Sequence, residues 1–95
     1  MTYHESAERL QELVKDVGSN DMPVYFCDRA FHEPLSKAVG TVADYLEQFA
    51  KNPPDEAATS LSASGVACPV LDVVAGETDD GRKCVIFEYD SVGAP

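Results

Sequence analysis

Two apolar runs near the C-terminal end, residues 69–75 and 83–89, constrain most strongly how this chain can fold. The loop between them contains the turn dipeptide Asp80-Gly81, so the two runs predict a β-hairpin. Residues 84–87 are apolar at four consecutive positions, which is typical of a strand covered on both faces. We therefore expect this strand at the centre of a sheet, between its hairpin partner and a third strand at residues 23–27.

A first helix is predicted over residues 3–17. Apolar residues recur there at helical spacing, Thr2 and Glu5 have the spacing of a capping box, and Gly18 suits the position after the last turn. At about 100° per residue, the acidic residues of the segment lie on the side opposite the apolar stripe. The sequence therefore predicts an amphipathic helix with an acidic solvent face.

A second amphipathic helix is predicted from Pro34 to about Lys51. Proline is tolerated in the first turn, and the following apolar residues share one helical face: Leu35, Ala38, Val39, Val42, Leu46 and Phe49. Gly40 would lie in the middle of this helix on its polar face, at a cost of about 1 kcal/mol relative to alanine. A short third helix is predicted over residues 54–63.

These elements predict an α+β fold. Two amphipathic helices and the short third helix would pack on a small three-stranded, mainly antiparallel sheet that ends in the C-terminal hairpin. The length of 95 residues suits one hydrophobic core. We expect residues 1–90 to form a single compact domain and residues 91–95 to form a flexible tail.

The net charge of −10, from 17 acidic and 7 basic residues, restricts the partners of the chain. The first fifty residues contain nine acids and four bases and the remainder eight and three, so the charge is not confined to a tail. Such a surface repels nucleic acid and anionic membranes, and it attracts basic protein surfaces. Direct nucleic-acid binding and membrane binding are therefore disfavoured, whereas adaptation to high salt would also explain the acidity.

The acids of the first helix form a regular stripe. At a rise of 1.5 Å per residue, they repeat about every 4.5–6 Å along the axis, loosely similar to backbone phosphates. Such a row could form charge-assisted contacts with Lys and Arg side chains of a protein partner. The alternative is an ordinary solvated helix face. The stripe contains Glu5, Glu8, Glu12 and Asp16.

The segment from residue 27 to residue 33 has the densest mixture of chemically reactive side chains. We include four of its residues in the predicted partner-binding surface: Asp28, Arg29, His32 and Glu33. An alternative function is a thiol-dependent enzyme or redox module, in which Cys27 near a helix N-terminus and His32 would form the site. If the segment has no functional site, Cys27 is a buried strand residue and the residues after it form a polar connecting loop.

The cysteines and histidines do not have the spacing of a metal site, and we expect no metal or other cofactor. Three cysteines are a poor disulfide framework, and no secretory or membrane-spanning segment is apparent, so we expect a cytoplasmic protein. The predicted function is a small non-catalytic adaptor or inhibitor that docks on a basic protein surface. That surface could be the nucleic-acid-binding surface of a nucleic-acid-processing complex. A homodimer is compatible with the sequence.

Overall fold

Two helices are each followed by a run of strands in the computed structural model, which describes residues 1–34, 37–62 and 65–92. The side chains of residues 33 and 34 are also outside this description. The elements in chain order are α1 (Tyr3–Val17), β1 (Pro23–Asp28), β2 (Glu33–Pro34), β3 (Gly40–Thr41), α2 (Val42–Ala50), β4 (Thr59–Leu61), β5 (Ala67–Pro69), β6 (Asp72–Glu77) and β7 (Lys83–Tyr89). The fold is α+β, as the sequence predicts.

Strand β7 is the centre of the main sheet, and this prediction is confirmed. It pairs antiparallel with β6, where Phe87 is opposite Val73, and parallel with β1, where Phe87 is opposite Phe26. The short strands β2 and β3 pair with the other side of β1, and β4 and β5 form a separate two-stranded sheet. The sheet is therefore mixed and larger than the predicted three strands. The long connection between β1 and β7 permits their parallel pairing.

Both helices pack on one face of this sheet. Alternate strand residues point to that face and form the core with apolar residues of α1 and α2. The main contributors are Leu10, Leu13, Val24, Val42, Phe49, Val73, Val85 and Phe87. No helix of the described residues covers the opposite face, where Tyr25, Val74 and Ile86 are half-buried. The prediction that both faces of β7 are covered is therefore confirmed on the helical side and only in part on the opposite side, where Cys84 is buried and Ile86 is half-buried.

Ile86 shields part of the open sheet face itself. A Cβ atom placed on Gly76 would come within 2.7 Å of its Cδ1 atom, so the Ile86 side chain lies across the neighbouring strand. Cys84 is next to both residues and is buried. A consecutive apolar run can therefore occupy a central strand without a second helical layer, because side chains on the same face cover one another.

The prediction that the second helix begins at Pro34 is wrong. Helix α2 begins at Val42, and Thr41 caps it: the Asp44 N–H donates to Thr41 Oγ1 at 3.3 Å, and the Thr41 N–H donates to Asp44 Oδ2 at 3.1 Å. The preceding residues follow β1 instead, because the Val39 N–H donates to the Val24 carbonyl oxygen at 2.8 Å. Leu35, which was assigned to the apolar helix face, lies outside the described residues.

Gly40 consequently lies in β3 rather than inside a helix. A Cβ atom at this position would be 3.3 Å from Cε2 of Tyr45, so glycine lets the Tyr45 ring approach the backbone. Glycine at this position therefore permits close packing within the chain. The predicted destabilisation of a helix by Gly40 does not apply, because Gly40 is not in a helix.

The predicted third helix at residues 54–63 is also wrong. Residues 54–58 form turns and a bridge between Ala57 and Thr2, and strand β4 follows. The Tyr3 N–H donates to the Glu56 carbonyl oxygen at 2.9 Å, and the Ala58 N–H donates to the Met1 carbonyl oxygen at 3.0 Å. These contacts with the N-terminal residues satisfy backbone groups that a helix would have used. Residue 63 of the predicted helix lies outside the described part of the chain.

Candidate interaction surface

Helix α1 presents its acidic stripe to solvent. Ser6, Leu10 and Leu13 are buried beneath the helix, and the four acids at positions 5, 8, 12 and 16 are exposed. The predicted amphipathic helix and its capping box are confirmed, with Thr2 as the cap residue. Gly18 ends the helix at φ 81°, a left-handed conformation that suits glycine. The exposed stripe therefore stands on a helix with defined ends and a buried opposite side.

Three of the four carboxylates have partners in α1 or in its cap residue. Glu5 accepts a hydrogen bond from the Thr2 backbone N–H at 3.0 Å, and this N–H and the Thr2 side chain lower the pKa of Glu5. His4 Nε2 is 3.0 Å from Glu8, and Arg9 Nη1 is 3.1 Å from Glu12. The two pairs are exposed, so each contributes little stability and can exchange for a partner's cation.

Helix α2 adds acidic residues to the same side of the molecule. Glu47 is 72% exposed and lies 3.3 Å from Lys51, and Asp55 and Glu56 are exposed just beyond the helix. We use the term helical face for the exposed sides of α1 and α2, including the turn at residues 52–56. These three acids were not part of the predicted surface. They lie in the same helical layer as the stripe because α2 packs beside α1 on the same face of the sheet.

A groove of about 330 Å³ lies along the contact between the two helices. The residues that line it are Tyr3, His4, Ala7 and Gln11 from α1, Leu46, Phe49 and Ala50 from α2, and Asn52 and Pro54 from the following turn. Tyr3, Ala7 and Leu46 are half-buried and pack against the core, so the groove has an apolar floor. Two of its lining residues are helical neighbours of acids: His4 is four residues before Glu8, and Ala50 is three residues after Glu47.

Asp28 is a buried structural residue. Burial alone would raise the pKa of Asp28, but hydrogen bonds from the Ser91 side chain and from the Ala30 and Ser91 N–H groups outweigh it and lower that pKa. These hydrogen bonds stabilise the folded protein fully above the ordinary aspartate pKa. The stabilisation is lost as the pH falls through the lowered pKa of Asp28. Ser91 of the predicted tail is thus anchored, whereas residues 93–95 lie outside the described residues.

The remaining predicted residues of this loop have different positions. Arg29 Nη2 is 3.2 Å from Glu88 Oε1, and His32 is exposed at φ 57° with its N–H donating to the Asp28 carbonyl oxygen at 2.9 Å. The backbone of Glu33 pairs with Asp28 in β2, and its side chain is outside the described part. The loop therefore presents the Arg29 and His32 side chains at the C-terminal end of β1.

Cys27 has an environment that favours the neutral thiol. It is half-buried in β1, and burial, followed by the negative charges of Glu88 and Asp28, raises the pKa of its thiol. No hydrogen bond joins Cys27 to His32 within the described ranges. An activated cysteine needs the opposite shift, a lowered pKa. The geometry thus gives no support to the alternative thiol-dependent function.

We expect Cys27 to react slowly with a thiol reagent in the folded protein. Because its pKa is raised, its modification rate should still increase above pH 8.5, near which an ordinary thiol is half ionised. The measurement is the modification rate against pH by mass spectrometry, with Cys27→Ser as the control that assigns the reacting site. A rate that reaches its plateau below pH 8 would contradict the raised pKa.

In the described residues, no three or more His, Cys, Asp and Glu side chains form a group that could hold a metal ion. None of the helices there has the length and apolar character needed to span a membrane. Comparison of the chain with protein-family models, with curated proteins and with solved structures found no match in any of the three.

Proposed function

We propose that this protein is a small non-catalytic interaction protein, an adaptor or inhibitor, that docks its helical face on a basic surface of a protein partner. The observation that carries the proposal is the exposed row of four carboxylates on α1, held outward by Leu10 and Leu13 in the core. A helix anchored in this way offers its charges in a preorganised geometry, which reduces the entropy lost on binding.

Glu5 caps α1, but the stability of the helix does not explain the three acids that follow it. Glu8 and Glu12, and likewise Glu12 and Asp16, are like charges four residues apart, a spacing that destabilises a helix. Asp16 also lies near the C-terminus of the helix, where the helix dipole disfavours a carboxylate. A contact with cations of a partner would offset these costs. The regular spacing of the carboxylates would also suit a partner surface that binds nucleic-acid phosphates when this protein is absent.

The loop after β1 extends the proposed contact surface. Arg29 and His32 are exposed, and we keep them and Glu33 in the proposed partner-binding set. Asp28 would contribute to binding indirectly and would not contact the partner. Its carboxylate holds the turn through Ala30 and Ser91, so it would determine the loop conformation that a partner meets.

The test compares two variants that each remove three negative charges. The first is Glu8→Gln, Glu12→Gln and Asp16→Asn, which leaves the capping residue Glu5 intact. The control is Asp21→Asn, Glu77→Gln and Asp79→Asn, at exposed positions in the α1–β1 loop and the β6–β7 hairpin. A partner is first captured from the native host at low salt, and its association with each variant is then measured by surface plasmon resonance.

We expect the stripe variant to associate about fivefold more slowly than the control, with a weaker dependence on salt, because local electrostatic steering is lost. Both variants should remain folded, since glutamine and asparagine keep side-chain size and like-charge repulsion is relieved. Equal association rates for the two variants would contradict docking through the stripe. Failure of the parent to bind any basic protein at low salt would instead favour acidity as salt adaptation.

A further inference from the structure

The groove between α1 and α2 has features that suit a ligand with a row of apolar side chains and basic residues on either side of that row. Its floor is apolar, and the Tyr3 and Phe49 rings pack 5.4 Å apart beside it. Ala7 and Ala50 leave open space because their side chains are short. Its volume of about 330 Å³ is at the lower end of the range for ligand pockets, which suits a few side chains.

The edges of this groove are predominantly acidic. On the α1 side, the lining residue His4 contacts Glu8 at 3.0 Å, and on the α2 side Glu47 lies one turn before the lining residue Ala50. Asp55 and Glu56 are exposed beyond Pro54 at the end of the groove. Two basic residues also lie at these edges among the described residues, and each pairs with an edge acid that a partner's cation would take over: Lys51 with Glu47 at 3.3 Å and His4 with Glu8. A ligand with cations on both sides of its apolar row therefore matches the groove electrostatically.

The walls of the groove select the type of partner segment. The helical walls have no free strand edge, because their backbone groups bond within each helix and the N–H groups of Tyr3 and His4 donate to Glu56 and Pro54. An extended peptide therefore could not add to them as a strand. Recognition would depend on side chains alone. An amphipathic helix provides such a row at positions i, i+3 or i+4 and i+7, with basic residues on either side.

We propose that the groove between α1 and α2 binds a basic amphipathic helix of the partner protein. This inference rests on the proposed function, because it assigns the partner's contacting element and the position of that element on the helical face. Apolar side chains of the partner helix enter between Ala7 and Ala50, and its Lys or Arg residues contact Glu8 and Glu47. The acidic stripe steers the encounter, whereas the groove holds the docked helix.

The probe for this proposal is a synthetic 16-residue helical peptide with Leu and one Trp on one face and Lys on the other. Because the chain contains no tryptophan, the fluorescence of the peptide Trp reports its burial. The control peptide has the same composition in an order that distributes Lys and Leu around the helix. Both peptides have the same charge, so general electrostatic attraction is matched.

The matched protein variants are Ala50→Arg and Gln48→Arg. Both residues are exposed on α2, but only Ala50 lines the groove, and Gln48 lies on the other side of the helix, about 160° away at 100° per residue. Each variant adds one positive charge to the same helix. Circular dichroism of both variants verifies that α2 is retained.

We expect a blue shift of Trp emission with the amphipathic peptide and the parent protein. Ala50→Arg should weaken that binding about tenfold relative to Gln48→Arg, because its cation meets the basic ligand inside the groove. Equal binding of the two peptides, or of the two variants, would overturn the groove proposal. If the variants bind equally but the stripe variant Glu8→Gln, Glu12→Gln and Asp16→Asn binds more weakly, docking through the acidic face stands without the groove.

Discussion

Replacing Phe87 by alanine should lower the free energy of unfolding by about 3–5 kcal/mol. Phe87 is 1% exposed at the centre of β7, and its ring packs 5.0 Å from Tyr45 and 5.9 Å from both Phe26 and Phe49. The substitution leaves a cavity where the sheet meets α2. Domains of ordinary stability have only about 5–15 kcal/mol in total, so the variant will be close to unfolding.

The measurement is urea unfolding followed by circular dichroism, with Leu46→Ala as the comparison. Leu46 is only half-buried at the edge of the core, so its replacement should cost less than that of Phe87. If Phe87→Ala lost less than about 1 kcal/mol, it would contradict the central position of β7. Equal losses in the two variants would contradict the difference in burial.

Leu10→Ala should also lower the free energy of unfolding strongly, by about 3–5 kcal/mol. Leu10 is 0% exposed on the buried side of α1 and belongs to the same core as Phe87. Gln11→Ala is the matched control, because Gln11 is the next residue and is exposed. Its replacement keeps a good helix former and removes no core contact, so stability should change little.

This second comparison also bears on the proposed function. Leu10 fixes α1 to the sheet, and the exposed acids depend on that attachment for their common orientation. Unfolding is measured in urea for both variants at the same pH and salt concentration. A small loss for Leu10→Ala, comparable to that of Gln11→Ala, would mean that α1 is not held by its apolar side and that the stripe is not preorganised.

Short-range patterns predict α1 and the presence of the hairpin correctly, although the first hairpin strand is Asp72–Glu77 and not residues 69–75. In α1 the capping box, the apolar period and the terminal glycine agree with one another, so local preferences and tertiary packing favour the same conformation. The hairpin has two apolar runs around a turn in which Gly81 adopts φ 83°. Such segments are predictable because most of the contacts that define them are close in the sequence.

The segments at residues 34–41 and 54–61 have local patterns that tertiary contacts override. The apolar period from Leu35 to Val42 resembles a helix, yet the backbone of Val39 pairs with Val24 and the capping box of Thr41 starts the helix later. That capping box was present in the sequence as Thr41 and Asp44 and would have indicated the correct start. The backbone around Ala58 instead pairs with the distant Met1, which no local window contains.

The sequence by itself determined the α+β class, the central position of β7 and the solvent exposure of the acidic stripe, because apolar periodicity and local capping define each of these within one element or one hairpin. Only the tertiary structure decided that α1 and α2 lie side by side with a groove between them, that Glu47 lies in the same helical layer as the stripe, and that Asp28 is buried and hydrogen-bonded to Ser91. These features depend on contacts between residues far apart in the chain. Their formation is governed by the packing of whole elements, which a local pattern does not encode.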